Sequence, residues 1–366
     1  MVGRKRFITL DLLRGFLLIA VCVNHAQRTP GILEYLTGGG VLWVSGAELF
    51  FILSGFTFSY VRKKTLAEKG FGEVLKKSLT RALGIYVLTI IASCITLLIA
   101  DAVDCQVGIR NGGASVCSTL TWQAFSDVAT LQKTVYWVAM LGYYTLYVAL
   151  APLALLLLQR KAWYILLTIS TGIFLLRDQS PILIYQLLFS LGLILGWYFR
   201  PLLAPSKKAT YLLTLAGFWS LITYALSLAL NEGTLARAMP QAHRWYQTFW
   251  APYFDRTEMD FPRLAMAVLW FLSLFYFFTR FEQPINRALG WLLLPFGRDS
   301  LWTFALHAPL VFALNIFIVF DNAGRISNTL QSVVIIAVLY LLVWIKNQIS
   351  QLINHAYQSR RITIEA

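Results

Sequence analysis

Charged residues are scarce in this chain: only 13% of its 366 residues are Asp, Glu, Lys or Arg, whereas 58% are hydrophobic. A soluble domain of this length needs far more charge to cover its surface, so the composition excludes a soluble globular protein. It indicates instead an integral membrane protein that crosses the bilayer several times.

The sequence also lacks the motifs of several common enzyme classes. It contains no phosphate-binding glycine loop, no Gly-x-Ser-x-Gly nucleophile motif and no group of metal ligands at a recognisable spacing, so we expect no metal. The net charge is +14, but the basic residues fall in short clusters between apolar runs. The positive-inside rule of membrane proteins explains that pattern better than nucleic-acid binding does, and we expect no nucleic-acid partner.

Cysteine is rare, with four residues in the chain. Cys22 and Cys94 lie within apolar segments, where cysteine usually serves as a small buried packing residue. Cys105 and Cys117 lie in one polar loop and can form a disulfide if that loop faces an oxidising compartment.

Hydrophobic runs of membrane-spanning length recur along the whole chain and predict about ten transmembrane helices. They lie at about 7–26, 41–61, 82–100, 134–158, 162–176, 181–199, 209–230, 262–279, 294–320 and 329–349. The fifth run is short and predicts a tilted or partial span. We therefore predict an all-α polytopic membrane protein in which residues 1–366 form a single integral-membrane domain.

The distribution of Lys and Arg predicts the orientation of these helices. If the N-terminus lies inside, the inner segments hold more than twice as many Lys and Arg residues as the outer segments. This asymmetry places both termini in the cytoplasm. The longest outer loops are then 101–133 and 231–261, and the second combines aromatic residues with carboxylates. Such a loop suits either a sugar or an interfacial aromatic belt.

Three ionisable residues share one face of the first predicted helix. Arg14 and His25 are eleven residues apart, which at 100° per residue is about 20° from three full turns. They lie roughly 16 Å apart along the helix axis, and Asp11 is on the same face. Such groups are costly against lipid and usually mark a functional site. Alternatively, Arg14 and His25 reach the two headgroup layers, and Asp11 neutralises the arginine.

Glu48 is an isolated carboxylate in the second predicted helix, which continues with Ser54 and Gly55. A carboxylate inside the membrane is unfavourable without a partner. Its predicted depth matches that of His25, so it can orient the imidazole and stabilise its charged form. A structural hydrogen bond to a neighbouring helix is the alternative.

Two later segments carry further candidates. A basic run enters the third helix, and Arg81, the residue of that run nearest the membrane, is a candidate phosphate contact; topology explains the rest of the run. The ninth helix opens with the segment 294–300, which includes Arg298, Asp299 and Ser300, and either of the last two can cap it. His307 follows on the same face as Ser300 and is either a satisfied core histidine or a second site residue.

In combination, these residues resemble the membrane acyltransferase superfamily (acyltransferase-3-like), most closely its OpgC-type glucan succinyltransferase branch. The family pattern has Asp-x-x-Arg-Gly in the first helix, with a His after ten further residues. The second helix carries Ala-Glu, a Phe-rich run and Leu-Ser-Gly, and a late Gly-Arg-x-Ser-Leu precedes another His. The matching residues are Asp11-Leu-Leu-Arg14-Gly15 with His25, Ala47-Glu48 with Leu53-Ser54-Gly55, and Gly297-Arg298-Asp299-Ser300-Leu301 with His307.

The resemblance implies an enzyme that moves an acyl group, succinyl or acetyl, from cytoplasmic acyl-coenzyme A to a hydroxyl of an extracytoplasmic glycan. Acyl-coenzyme A is then the co-substrate, a periplasmic or surface glycan is the acceptor, and the bacterial cytoplasmic (inner) membrane is the location.

The resemblance also implies roles for individual residues. His25 acts as the general base, Glu48 orients it, and Arg14 and Arg81 hold the phosphates of coenzyme A. The paired basic motif that the wider family carries at the start of the third helix is met only loosely, by Lys77 and Arg81. Residues that can support the site are Asp11, Ser54, Arg298, Ser300 and His307.

A secondary transporter of an anionic or sugar-linked solute is the alternative function, because intramembrane charges can also form a proton relay or an anion path. The sequence shows neither matched half-repeats nor paired broken helices, which favours the enzyme. Thiol release from an acyl-coenzyme A is expected of the enzyme, whereas solute flux into proteoliposomes without coenzyme A is expected of the transporter.

Overall fold

A computed structural model describes most of the chain. The described residues are 7–26, 30–39, 41–102, 107–111, 114–118, 121–132, 134–135, 137–198, 206–231, 237–255, 258–317 and 324–365.

These residues form a bundle of helices with a small antiparallel sheet in one loop. The α-helices are α1 Ile8–Ala26, α2 Glu34–Thr37, α3 Gly46–Ala102, α4 Trp122–Ala129, α5 Ala139–Gln159, α6 Trp163–Phe174, α7 Ile182–Tyr198, α8 Lys207–Asn231, α9 Pro240–Phe249, α10 Phe261–Arg280, α11 Glu282–Arg298, α12 Ser300–Phe317 and α13 Arg325–Glu365. Two 3-10 helices span Arg177–Gln179 and Ala251–Phe254. The strands are β1 Val107–Asn111, β2 Ala114–Ser118 and β3 Thr134–Val135, in the sheet order β2-β1-β3.

Helices lie at each of the ten predicted positions, and six of the described helices are long and apolar enough to cross a membrane. Those six are α1, α3, α5, α8, α10 and the Arg325–Ile353 part of α13. Helices α6 and α7 and the Ser300–Leu314 part of α12 are apolar but shorter. The chain is a multi-pass helical membrane protein, while the count of ten spans and the cytoplasmic location of both termini stay predictions.

Helix α3 consists of two helices that meet at a kink at Gly70, and together they cover 57 residues and the second and third predicted spans. It begins at Gly46, several residues later than the predicted start. Gly70 interrupts its helical geometry with φ 77° and ψ 179°, a conformation that glycine adopts without steric strain. The polar segment between the two predicted spans, 62–81, is helical on both sides of this kink. Lys64 and Glu68, four residues apart, form an ion pair there that favours a helix.

The predicted ninth span, 294–320, is wrong at its start. Its first residues belong to α11, and α12 begins at Ser300. Asp299 between them leaves the helical conformation, with φ −103° and ψ 34°, and its carboxylate accepts a hydrogen bond from Nζ of Lys346 at 2.7 Å. The carbonyl oxygen of Asp299 accepts the N–H of Thr303. The helix boundary therefore lies at Asp299, within a run that hydropathy alone treats as continuous.

The two predicted outer loops contain secondary structure of their own. In the loop predicted at 101–133, β1 pairs antiparallel with β2 and β3, so the small sheet is an addition to the predicted all-α class. Cys105 lies outside the described residues and Cys117 lies in β2 opposite Gly108; the disulfide stays a prediction. The loop predicted at 231–261 contains α9 and the second 3-10 helix.

Glycine residues bring pairs of helices into backbone contact at the centre of the bundle. A Cβ atom on Gly55 of α3 would lie 2.1 Å from the carbonyl oxygen of Phe189 in α7. Between α1 and α11, a Cβ atom on Gly297 would lie 1.8 Å from the carbonyl oxygen of Asp11. Small residues allow membrane helices to approach closely and gain van der Waals contact. These contacts fix the positions of α1 and α3, which carry most of the candidate site residues.

The substitution Gly55→Ala is expected to destabilise the protein by about 1–3 kcal/mol, because the new methyl group forces α3 and α7 apart. Gly84→Ala is the matched control, since nothing lies within 4 Å of a Cβ atom at Gly84 and alanine favours a helix. Thermal denaturation of both variants in the same detergent measures the difference. A midpoint for Gly55→Ala equal to that of the wild type would contradict the close packing of these helices.

Candidate active site

Two of the cavities among the described helices are lined by candidate site residues, and they are called the outer and inner cavities after the predicted topology. The outer cavity has a volume of about 780 Å³, and its lining includes Asn24, His25, Trp43, Asn231, Tyr246 and Arg263. The inner cavity has a volume of about 270 Å³, and its lining includes Arg14, Ser54, Arg62, Arg81, Ser300 and Phe304.

The two cavities follow one another along the bundle, because the same helices line both. Helix α1 contributes Arg14 to the inner cavity and His25 to the outer cavity. Helix α3 contributes Ser54 to the inner cavity and Ala47 to the outer cavity, and α5 also lines both. Arg14 and His25, about 16 Å apart along the axis of α1, therefore line two different cavities.

His25 and His307 are in direct contact between these cavities. Nδ1 of His25 lies 2.8 Å from Nε2 of His307, and the two rings are stacked with centroids 5.0 Å apart. His307 is 2% exposed, and its other ring nitrogen contacts the carbonyl oxygen of Phe304. Phe304 also lines the inner cavity. A continuous set of contacts thus leads from the inner cavity through Phe304 and the two histidines to the outer cavity.

Of the two hypotheses for Glu48, the structure shows the hydrogen bond to a neighbouring helix and no contact with His25. One carboxylate oxygen of Glu48 accepts hydrogen bonds from Nε of Arg263, at 2.7 Å, and from its Nη2. The other oxygen accepts the backbone N–H of Ser45, at 3.0 Å, and its hydroxyl. The carboxylate of Glu48 instead binds the guanidinium of Arg263 on α10 through charge-assisted hydrogen bonds. The side chain that contacts the imidazole of His25 is His307.

The ion pair between Glu48 and Arg263 is buried. Their side chains are 1% and 5% exposed, and Arg263 also donates to the carbonyl oxygen of Phe254. Arg263 lines the outer cavity, so the wall of this cavity contains a positive charge that the carboxylate of Glu48 neutralises. In the sequence, Arg263 is the second residue of the predicted span 262–279. Its position just inside a predicted span was a signal that it pairs with an intramembrane carboxylate.

The inner cavity is basic. Arg14, Arg62 and Arg81 all contribute to its lining, and the hydroxyl-bearing residues Ser54 and Ser300 join them. Guanidinium groups form bidentate hydrogen bonds with phosphate oxygens, so this wall suits a phosphorylated ligand. Arg62, which follows the second predicted span, was not among the donor residues that the sequence predicted.

Arg14 keeps its predicted acidic neighbour while lining the inner cavity. Its Nη1 lies 3.7 Å from Oδ1 of Asp11, and the two side chains are 17% and 7% exposed. Asp11 therefore compensates part of the arginine charge inside the bundle.

Lys77 and Arg298 lie farther from the two cavities. Nζ of Lys77 is 2.9 Å from the carboxylate of Glu73, and Lys77 borders a separate surface hollow of about 460 Å³ together with Arg62 and Arg81. Arg298 is exposed at the end of α11 and lines neither cavity. In the structure, the candidate donor residues thus separate into Arg14 and Arg81 at the inner cavity and Lys77 at the surface.

Aromatic and amide side chains form one wall of the outer cavity. The rings of Trp43 and Phe254 are stacked with centroids 4.4 Å apart. The indole N–H of Trp43 donates to the hydroxyl of Tyr246 at 2.8 Å, and that hydroxyl donates to Oδ1 of Asn231 at 3.1 Å. Burial raises the pKa of Tyr246, so its hydroxyl stays protonated and able to donate. These contacts connect the loop that contains α9 to the helix bundle. The sequence had left open whether this loop binds a sugar or forms an interfacial aromatic belt.

Asn24, next to His25, holds a loop over the outer cavity. Its amide nitrogen donates to the carbonyl oxygen of Thr37 at 2.8 Å, and the hydroxyl of Thr37 donates back to its oxygen at 2.8 Å. Gly38 follows with φ 92° and lines the cavity. The indole N–H of Trp137 donates to the backbone carbonyl of His25 at 3.3 Å. The end of α1 that carries His25 is therefore held from two sides.

The chemistry available at this site is that of acid, base and anion binding. Among the described residues, no group of three His, Cys, Asp or Glu side chains is placed to hold a metal ion. The imidazole pair can move a proton, the inner arginines can bind phosphate, and the outer wall offers aromatic faces with amide and hydroxyl groups.

Comparison with known families identifies the family of this chain. The model of the OpgC protein family matches residues 6–351, nearly the whole chain, including both cavities and both histidines. A search of the curated proteins finds no match. The chain belongs to the OpgC protein family, which indicates that it is a glucan-modifying acyltransferase of the membrane.

Proposed function

We propose that this protein transfers a succinyl or acetyl group from cytoplasmic acyl-coenzyme A to a hydroxyl of an extracytoplasmic glucan, in the bacterial inner membrane. The observation that carries the proposal is the position of His25. It lies in the wall of the outer cavity and is linked through His307 and Phe304 to the basic inner cavity. An enzyme that joins a donor from one side of the membrane to an acceptor on the other needs such a junction.

The donor enters from the inner side in this proposal. Arg14, Arg62 and Arg81 bind the phosphate groups of coenzyme A, since three guanidinium groups complement their negative charge. The pantetheine arm then extends along the bundle past Phe304 and brings the thioester to the histidine pair. The axial distance of about 16 Å between Arg14 and His25 matches an extended arm.

The acceptor enters from the outer side. A sugar unit fits the outer cavity because its C–H faces can pack on the aromatic rings of Trp43 and Tyr143, while Asn231 and Tyr246 provide hydrogen-bonding groups for its hydroxyls. His25 removes a proton from the attacking hydroxyl, as general bases near neutral pH do. The buried charge of Arg263, paired with Glu48, contributes to the field in which the thioester reacts.

Arg14→Ala is expected to weaken coenzyme A binding by about 10-fold to 100-fold, because it removes a charge-assisted hydrogen bond to phosphate. Calorimetry on the purified protein in detergent measures the dissociation constant, and it needs no knowledge of the acceptor. Arg160→Ala is the matched control, since Arg160 is an exposed arginine at the end of α5. Its affinity is expected to equal that of the wild type.

Two results would contradict the donor assignment. Equal affinity in Arg14→Ala and Arg160→Ala would remove Arg14 from the donor site. A folded wild-type protein that binds no coenzyme A would overturn the proposed function and lead to transport assays in proteoliposomes.

A further inference from the structure

The direction of the hydrogen bond between His25 and His307 follows from a second contact, which His307 makes with a backbone carbonyl. Nδ1 of His307 contacts the carbonyl oxygen of Phe304, and a carbonyl oxygen can only accept a hydrogen bond. The proton of His307 therefore lies on Nδ1. Its ring is 2% exposed and packs edge-on against the ring of Phe304, 4.7 Å between centroids. A charge is costly in such surroundings, so His307 is neutral and its Nε2 carries a lone pair.

The direction of the second hydrogen bond follows from the first. Nε2 of His307 is an acceptor, so the group 2.8 Å from it, Nδ1 of His25, must be the donor. A neutral His25 with its proton on Nδ1 has its lone pair on Nε2. The backbone at Phe304, one turn of α12 before His307, thus determines which nitrogen of His25 is basic.

We propose that His307 is a positioning residue that holds His25 in the Nδ1–H tautomer, so that Nε2 of His25 is the atom that takes the acceptor proton. This proposal rests on the proposed acyl transfer and specifies how its base is oriented. It assigns to a neutral histidine, supported by a backbone carbonyl, the orienting role that the sequence suggested for Glu48. A buried neutral acceptor can perform that role without the cost of burying a second carboxylate.

The proton and electron pairs balance in the resulting step. Nε2 of His25 takes the proton of the acceptor hydroxyl, and the oxygen forms a bond to the thioester carbonyl carbon. The carbon–sulfur bond then breaks, and the leaving thiolate takes the proton from Nε2. The products are the acyl ester of the acceptor and free coenzyme A. During the step, the imidazolium of His25 is stabilised by its hydrogen bond to Nε2 of His307.

The first test observes the tautomer directly and needs no substrate. The chain has 4 histidines, so ¹⁵N-histidine labelling of the full-length protein in detergent gives few ring signals, and His25→Asn and His307→Gln assign them. Protonated and unprotonated ring nitrogens have well-separated ¹⁵N shifts. Both histidines of the pair are expected to have a protonated Nδ1 and an unprotonated Nε2 at neutral pH. If His25 instead has a protonated Nε2 and an unprotonated Nδ1, the proposal is overturned.

The second test compares two replacements of His307. Glutamine can place its amide oxygen near the position of Nε2 and accept from His25, whereas leucine cannot. The kcat of His307→Gln is expected to stay within about 10-fold of the wild type, and that of His307→Leu to fall on the order of 10²-fold. Coenzyme A affinity is expected to be unchanged in both. His243→Leu, on helix α9, is the control for loss of a histidine.

The outcomes separate the two proposals. Equal kcat for His307→Leu and the wild type would overturn the positioning role while leaving acyl transfer intact. Equal losses of kcat in the glutamine and leucine variants would also overturn it, because a role in packing alone does not distinguish an acceptor from a methyl group. Absence of thiol release by the wild type with every acyl-coenzyme A would overturn the proposed function, but the ¹⁵N signals would still report the tautomer. If His307→Leu does not fold, the ¹⁵N signals and the glutamine variant decide the question.

Discussion

His25→Ala is expected to reduce acyl transfer by about 10²-fold to 10⁴-fold, the range that general bases contribute, while coenzyme A binds as tightly as before. The two effects separate because His25 lines the outer cavity, whereas the proposed phosphate-binding residues line the inner cavity. Those residues are Arg14, Arg62 and Arg81. Thiol release from succinyl- and acetyl-coenzyme A with a glucan acceptor measures turnover. Calorimetry on the same preparation measures coenzyme A binding and shows that the variant is folded.

His243→Ala is the control for this experiment, because His243 is a partly exposed histidine on α9. Its turnover is expected to match that of the wild type. If His25→Ala kept near-normal turnover, the base would have to be another group. If it lost coenzyme A binding as well, the division of the site into donor and acceptor cavities would be wrong.

Glu48→Ala is expected to destabilise the protein by about 3–5 kcal/mol, because it leaves the buried guanidinium of Arg263 without its counter-charge. The side chain of Arg263 is 5% exposed, so water cannot replace the carboxylate. Unfolding in mixed micelles with an increasing fraction of sodium dodecyl sulfate measures the change. A variant as stable as the wild type would show that the ion pair does not contribute to the stability of the bundle.

The exposed ion pair Lys64–Glu68 is the matched control, with side chains 66% and 55% exposed. Glu68→Ala is expected to change stability by less than about 1 kcal/mol, because exposed pairs are screened by water. The double variant Glu48→Leu with Arg263→Met is expected to recover most of the lost stability, since apolar residues of similar volume often replace a buried pair at little cost.

The double variant also decides whether Glu48 takes part in the reaction. If stability and turnover both return, Glu48 serves to neutralise Arg263 and the carboxylate has no chemical role. If stability returns without turnover, the buried pair contributes to catalysis through the wall of the outer cavity. In the structure, neither carboxylate oxygen of Glu48 contacts His25, because both accept hydrogen bonds from Arg263 and Ser45.

Much of the fold could be predicted because a bilayer imposes a simple rule on the sequence. An apolar run in lipid must satisfy its backbone hydrogen bonds within itself, so it forms a helix wherever it lies. Helices therefore appear at each predicted position. Hydropathy runs unbroken across the boundary between α11 and α12, and only the capping residues Asp299 and Ser300 indicated a helix start there. The contact of Asp299 with Lys346, 47 residues later, could not be predicted, because it joins two helices that are distant in the sequence.

The candidate site was predictable only where its residues share one helix. The stripe of Asp11, Arg14 and His25 follows from helical periodicity, and the structure places its two ends in two cavities. The partners of these residues come from other helices. Nothing in the pattern of α3 indicates that Glu48 would meet Arg263 on α10 and not His25 on α1.

By itself, the sequence determined that this protein is helical, lies in a membrane and carries an arginine and a histidine about 16 Å apart on one helix face. These properties depend on hydropathy and on the geometry of a single helix, which are local. Only the tertiary structure decided that His307 contacts His25 and that Arg263 neutralises Glu48. It also decided that three other arginines, Arg14, Arg62 and Arg81, line one cavity. Those contacts join residues up to 282 positions apart, and they depend on which helices pack together, through backbone contacts such as that at Gly297.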